Sequence, residues 1–147
     1  MVDCSLLTYK SSLYLLPTVA IAEAIILPMG FTFNLDSTIV ANYEWHQEFR
    51  PILTLDLLPI DNAKIKNPKI AFIHSMQPQS SQPFFAVLFE GQTRRLKISP
   101  ENIAWADEAQ NVAMLTEKKS QTEVILVDLA GLSKEAELSS ADTQIAK

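Results

Sequence analysis

The amino-acid sequence predicts an all-β fold, a barrel or a sandwich, and three observations support this prediction. Short apolar segments, several with a two-residue repeat, follow one another closely along the chain. Little of the sequence has helical spacing, and only modest turn chemistry separates the segments. The 147 residues are 48% hydrophobic and 20% charged, which is the composition of one ordinary folded domain. We therefore expect a single strand-rich unit with its own hydrophobic core.

In the first half of the chain, two segments have the alternation of a strand. Residues 19–27 alternate large apolar side chains with alanines, which favours a strand, although the alanines leave a helix open. Residues 53–57 alternate leucines with polar residues and predict a half-buried strand that ends before Pro59. Between these strands, residues 42–50 are predicted to form an exposed loop. The polar residues 60–69 predict either a long hairpin loop or the seam between two small barrels.

The second half of the chain supplies the remaining predicted elements. Residues 70–73 and 83–90 are predicted strands, and the second is so apolar that both of its faces should be covered. Gly91 starts a tight connection to a strand at 94–98, which predicts a hairpin. Pro100 begins a turn or a single helical turn. The last predicted elements are strands at 112–115 and 124–129, a helix at 129–138 and a flexible tail at 139–147.

The charge pattern and the apolar segments argue against two classes of partner. The formal net charge is −5 and the basic residues are scattered, so we expect no nucleic acid to bind. The apolar stretch 13–29 contains Glu23 and is shorter than the ~20 residues that cross a bilayer, so no direct membrane insertion is expected. Small residues at 20–24 also fit an export signal, but the preceding segment is not distinctly positive. A cytoplasmic location is therefore expected, with the single Cys4 mobile.

Residue types that carry chemistry are scarce in this sequence. The two histidines, His46 and His74, and the single Cys4 do not have the spacing of a metal site. The chain has 3 glycines, which are too few for a glycine-rich phosphate loop, and its sequence contains no nucleophile elbow. We therefore expect no catalytic residue, no metal and no cofactor, and we do not predict an enzyme.

Five positions each have two interpretations. Trp45, Phe49 and Trp105 are core residues by default, but aromatic side chains beside charged ones also anchor protein interfaces. His46 is either a solvated loop residue or a partner contact. Glu23, on the large-residue face of its strand, either marks where that strand reaches solvent or pairs with Arg50.

The stretch WHQEFRPILTLDL, residues 45–57, resembles a segment of CheW-like chemotaxis adaptors. That segment reads Leu-Arg-Gly, three further residues, a proline and a hydrophobic ending with Asp-Leu. Aligned on Pro51, Trp45 takes the place of the leucine, His46 that of the arginine and Gln47 that of the glycine. A threonine stands where the aspartate usually lies.

Two further parts of the chain match the same family in order and distance. YLLPTVAIAEAI, residues 14–25, is similar to the family's first hairpin, whose hydrophobic strand ends in Glu-Ile. ISPENI at 98–103 and VILVDLAGL at 124–132 are similar to its Pro-Glu-x-Ile turn and to its closing strand and helix. The resemblance thus covers roughly residues 10–135. In its loss of glycines the chain also resembles the divergent CheW-like proteins of type IV pilus (twitching) chemosensory systems.

The resemblance implies a specific fold and function. The fold is two small SH3-like five-stranded β-barrels packed together with a short C-terminal helix, at about 13–75 and 76–138, with terminal strands free to exchange between them. The function is that of a non-catalytic adaptor, which couples the cytoplasmic tip of a methyl-accepting chemoreceptor to a CheA-type histidine kinase. The implied partner-binding residues are Trp45, His46, Gln47, Glu48, Arg50 and Glu23.

Two consequences and two alternatives accompany this resemblance. Because His46 replaces a permanently charged arginine of the family, pairing with a receptor carboxylate is expected to be weaker. As residues of an exposed loop, His46, Gln47 and Arg50 are expected to tolerate alanine without a change in melting temperature. The alternative function is a small-molecule-binding β-barrel or a subunit of an enzyme completed by a partner, which a deep apolar cavity would favour. A purely structural β domain with an accidental likeness is the other alternative.

Overall fold

The structure is a computed structural model that describes residues 1–61, 64–76 and 83–145, the stretch 139–145 as helix backbone only. Over these residues the chain forms ten strands followed by one helix: β1 (Val2–Tyr9), β2 (Ser12–Pro17), β3 (Ile21–Ile26), β4 (Ile39–Trp45), β5 (Glu48–Leu53), β6 (Pro68–His74), β7 (Phe84–Ile98), β8 (Ile103–Asp107), β9 (Val112–Glu117), β10 (Ser120–Leu126) and α1 (Leu129–Ile145). The predicted all-β class with a C-terminal helix is confirmed.

The strands form two small barrels, each with its own hydrophobic core. The first barrel has the strand order β4-β5-β7-β6-β3, and its core includes Phe72, Phe85 and Phe89. The second has the order β7-β1-β2-β10-β9-β8, and its smaller core includes Leu115 and Val124. Since β7 belongs to both orders, the two barrels share one continuous sheet.

Strands β1 and β2 lie between the two cores and contribute side chains to both. In β1, Leu7 and Tyr9 pack in the first core, whereas Cys4 and Leu6 pack in the second. Neighbouring residues of a strand point to opposite faces, so a strand covered on both faces serves two cores at once. Strand β1 was not predicted from the sequence, and the expectation of a mobile Cys4 is wrong, because Cys4 is buried in this strand. The predicted division at residue 75 stays a prediction.

The predicted hairpin at 83–98 is wrong, because this segment is the single 15-residue strand β7. Its first half pairs with β6 and its second half with β1. Gly91 lies at the junction with φ 70°, beside a register shift in the β1–β7 ladder. Glycine adopts this left-handed conformation without a steric cost, so the residue forms a bulge instead of a turn. Residues 85–89 are fully buried, as predicted from their apolar run.

Two predicted strands of the first half have different limits in the structure. Strand β3 begins at Ile21, after a short 3-10 turn at 18–20. Strand β5 ends at Leu53, whereas the sequence predicted a strand at residues 53–57. The Thr54 hydroxyl donates to the Leu58 carbonyl at 2.7 Å, which closes a turn directly after the strand. The polar stretch predicted at 60–69 includes residues 62 and 63, which lie outside the described residues.

Helix α1 packs against the first barrel and is longer than the predicted 129–138. Asp128 caps its first turn, because its Oδ1 accepts a hydrogen bond from the Gly131 amide at 2.9 Å. Leu132 and Ala136 are buried in the first core. The flexible tail predicted at 139–147 reaches beyond the described residues and stays a prediction. No described helix is long and apolar enough to span a membrane.

Candidate functional site

The predicted loop at 42–50 is a β-hairpin, formed by β4 and β5 with a two-residue turn. His46 and Gln47 have φ values of 52° and 67°, and Trp45 pairs with Glu48 across the turn. Two successive left-handed residues are typical of a type I′ turn, whose twist matches that of the strands it joins. Because the side chains of 46–49 are exposed, the hairpin end projects into solvent. We call Glu23 together with residues 45–50 the hairpin-tip surface.

Trp45 attaches the hairpin to the first barrel through aromatic contacts. Its indole stacks on the Phe72 ring with 4.2 Å between centroids and 7° between planes. It also meets the Phe84 ring edge-on at 5.0 Å and the His46 ring at 4.1 Å. Such pairs contribute about 0.5–1.5 kcal/mol each beyond the area they bury. Trp45 therefore acts as a packing residue on one side and supports the exposed turn on the other.

Arg50 is only 5% exposed and lies inside the hairpin-tip surface. Its guanidinium carbon is 5.4 Å from the centroid of the Phe84 ring and 5.9 Å from that of Trp45. Nε donates to the Trp45 carbonyl at 3.4 Å. Nη1 lies 3.0 Å from a carboxylate oxygen of Glu48, at ion-pair distance but outside hydrogen-bond geometry. The expectation that Arg50 is a free loop residue is therefore wrong, because its cation is held between aromatic rings.

Glu23 reaches the same surface from strand β3. It lies opposite Phe72 in the β3–β6 register, and its carboxylate accepts a hydrogen bond from the Trp45 indole nitrogen at 3.5 Å. The side chain is exposed, as the solvent interpretation predicted, and the contact it makes is with Trp45. The structure thus brings Glu23 and residues 45–50 together at one end of the first barrel.

Sequence reasoning missed one exposed residue of this surface and the aromatic base beneath it. Phe49 is 64% exposed, although core packing was its default interpretation. A hairpin register would have indicated this, because Phe49 pairs with the exposed Glu44 on the outer face. Phe72 and Phe84 come from distant strands, and no local pattern places them under Trp45.

The described residues offer little support for a catalytic or ligand-binding centre. They contain no group of three or more histidine, cysteine or carboxylate side chains that could hold a metal ion. A cleft of about 440 Å³, lined by charged residues such as Lys10, Asp36 and Asp61, opens to solvent. A second, apolar groove of about 190 Å³ lies at Trp105. Neither is the deep apolar cavity that the alternative function requires.

The fold and the hairpin-tip surface define a class of protein: paired small β-barrels that present a rigid, exposed hairpin. In sequence comparisons, no protein-family model and no curated protein matches the chain. Among solved structures, the chain is similar to the scaffolding protein TtCheW from Thermoanaerobacter tengcongensis, with a TM-score of 0.62 and 14% sequence identity. The match covers 89% of this chain and 86% of that chain. The chain therefore has the CheW fold, which confirms the two SH3-like barrels that the resemblance implied.

Proposed function

We propose that this chain is a non-catalytic adaptor in a bacterial chemosensory array. It couples the cytoplasmic tip of a chemoreceptor to a CheA-type histidine kinase and works in the cytoplasm, where that tip lies. The observation that carries the proposal is an exposed, aromatic-supported hairpin on a CheW fold. The solved neighbour is itself described as a scaffolding protein. We also place the chain in a type IV pilus system, because it lacks the family's glycines. A deletion strain should then lose twitching motility.

The hairpin-tip surface has the properties of a protein-contact site. Its exposed apolar side chain, Phe49, lies next in the chain to the exposed polar residues His46, Gln47 and Glu48, and it pairs with the exposed Glu44 across the hairpin. Interfaces commonly combine an aromatic anchor with a polar rim of this kind. Because Trp45 packs the hairpin onto the first barrel, a partner would meet a preformed shape and would immobilise few additional groups.

The contribution of Phe49 to binding can be estimated from its exposed area. Full burial of a phenylalanine side chain contributes about 1.5–3 kcal/mol. Because Phe49 is 64% exposed, an interface can bury roughly two thirds of this side chain, which corresponds to about 1–2 kcal/mol. Since 1.4 kcal/mol is a factor of ten in affinity, Phe49→Ala should weaken partner binding about tenfold.

Titration calorimetry with a purified kinase regulatory fragment and a receptor cytoplasmic fragment tests the proposal. Phe49→Ala should reduce affinity for at least one fragment and leave the melting temperature unchanged. Leu58→Ala is the matched control, since Leu58 is also an exposed apolar residue but lies outside the hairpin-tip surface. His46→Arg restores the family's charge and should strengthen binding of the receptor fragment selectively. If the Phe49 variant binds both fragments as tightly as the unaltered chain, the hairpin tip is not the contact.

A further inference from the structure

Strand β8 is an open edge of the second barrel. It stands at the end of the strand order and pairs with β9 among the described strands. Residues 104–107 of its five are exposed. Natural edge strands usually carry lysine, proline, an inward charge or a bulge that discourages further pairing. The sequence IAWAD of β8 carries one charge, at its last position, and its register with β9 shifts between Trp105 and Asp107. Because β8 lies at the end of the strand order, its regular part before this shift, residues 103–105, presents N–H and C=O groups on the open side.

An apolar groove lies beside this edge. Trp105 is 50% exposed and borders a groove of about 190 Å³, together with Ile103, Ala104, Ala113 and Leu126. In the β8–β9 register Trp105 lies opposite Ala113, a small residue that leaves space next to the indole. The groove is smaller than the roughly 300–1,000 Å³ of pockets that enclose small molecules. Its size fits a single large side chain.

The charges around the groove are acidic at one end of the strand. Asp107 ends β8, and Glu108 follows it in an exposed turn. The basic pair Lys118 and Lys119 lies on the β9–β10 turn, beyond the opposite end of β8, because Ile103 pairs with Leu115. A ligand on this edge therefore meets negative charge on the Asp107 side.

We propose that β8 accepts an extended segment of a partner protein as an additional strand. One large apolar side chain of that segment enters the groove at Trp105, and a lysine or arginine lies beside Asp107 and Glu108. Main-chain hydrogen bonds supply affinity in this mode of recognition, and the side-chain groove supplies specificity. The surface is separate from the hairpin tip, so the inference holds or fails independently of the proposed function.

A labelled synthetic peptide tests this proposal with the full chain. The probe is a fluorescein-labelled eight-residue peptide of alternating valine and threonine, with a central leucine and two lysines on one side. Fluorescence anisotropy should detect binding that weakens at least tenfold when the lysines are replaced by glutamates. It should be lost when alternate peptide nitrogens are methylated, because methylation removes the ladder donors. Equal binding of the basic and acidic peptides would overturn the charge assignment and with it the proposal.

Variants of the chain separate the groove from the edge. Trp105→Ala should weaken peptide binding at least tenfold, and Glu108→Lys several-fold. Ala106→Lys places a lysine on the edge of β8 without changing the groove, and it should therefore also weaken peptide binding. This variant keeps the test valid if Trp105→Ala fails to fold. Amide NMR shifts on peptide addition should map to residues 103–107. Shifts confined to residues 46–49 would overturn the proposal in favour of binding at the hairpin tip. A concentration-dependent dimer that Ala106→Lys abolishes would overturn it in favour of a second copy of the chain as the occupant of the edge.

Discussion

Replacement of Gln47 by glycine should stabilise this protein. The backbone of Gln47 has φ 67°, a left-handed conformation that costs a residue with a Cβ about 1–2 kcal/mol. Glycine avoids this cost, but it loses about 0.5–1 kcal/mol more than alanine through the conformational entropy of the unfolded chain. The difference predicts that Gln47→Gly raises the free energy of unfolding by about 0.5–1 kcal/mol. For a chain of this size the melting temperature should rise by roughly 1–4 °C.

Urea unfolding followed by far-UV circular dichroism measures this change, provided that the transition is two-state. The matched control is Gln121→Gly, since Gln121 is an exposed glutamine within strand β10. At that position glycine gains nothing from a left-handed backbone and should lower the free energy of unfolding by a comparable amount. The reasoning is refuted if Gln47→Gly lowers the stability, or if both variants shift it in the same direction.

Three further predictions concern buried residues of the first barrel. Phe72→Ala should lower the free energy of unfolding by about 3–5 kcal/mol, because it leaves a cavity in the first core and removes the stacking partner of Trp45. Urea unfolding measures this loss, and a loss below about 1 kcal/mol would mean that Phe72 does not support the hairpin. Arg50→Ala should lower the free energy of unfolding by about 1–2 kcal/mol, because the cation–π contacts are lost. Arg50→Met keeps the packed apolar part of the side chain and should lower it less. Equal losses for the two variants would contradict this prediction. The Tyr9 hydroxyl is buried without a hydrogen-bond partner among the described residues, and burial raises the pKa of Tyr9. Because the unfolded tyrosine ionises near pH 10 and the folded one only at a higher pH, the free energy of unfolding is unaffected by this group below about pH 10 and falls as the pH rises from there to the folded-state pKa. Tyr9→Phe should therefore be neutral or stabilising at pH 7, because it removes an unpaired buried hydroxyl, and it should flatten the alkaline loss of stability in a pH series of urea titrations.

Sequence alternation predicted strand β9 and missed strand β1, whose two faces both meet a core. Strand β9 follows an alternating pattern of burial, and residues 112–115 were predicted correctly. In β1, residues 4–7 are all buried because both faces meet a core, so apolar and small polar residues mix without a period. Gly91 was misread for a related reason, since a glycine between apolar runs fits a turn and a bulge equally well.

The candidate site was located from the sequence, but its internal arrangement was not. The resemblance around Pro51 placed residues 45–50 on one surface, and the structure does bring them together. The burial of Arg50 depends on Phe84, which is far away in the sequence, so no local pattern could reveal it. The left-handed φ of Gln47 could have been predicted, because the family has glycine at this position of the turn.

The double-faced strand β1 has a mechanical consequence. Its odd-numbered residues Leu7 and Tyr9 are fixed among the side chains of one barrel, and Leu6 is fixed in the other. A displacement of one barrel therefore strains the packing of its neighbour, since close-packed interiors deform little. We therefore expect the two barrels to move together, without a hinge between them. If one partner binds each barrel, this arrangement would keep the two partners at a constant angle.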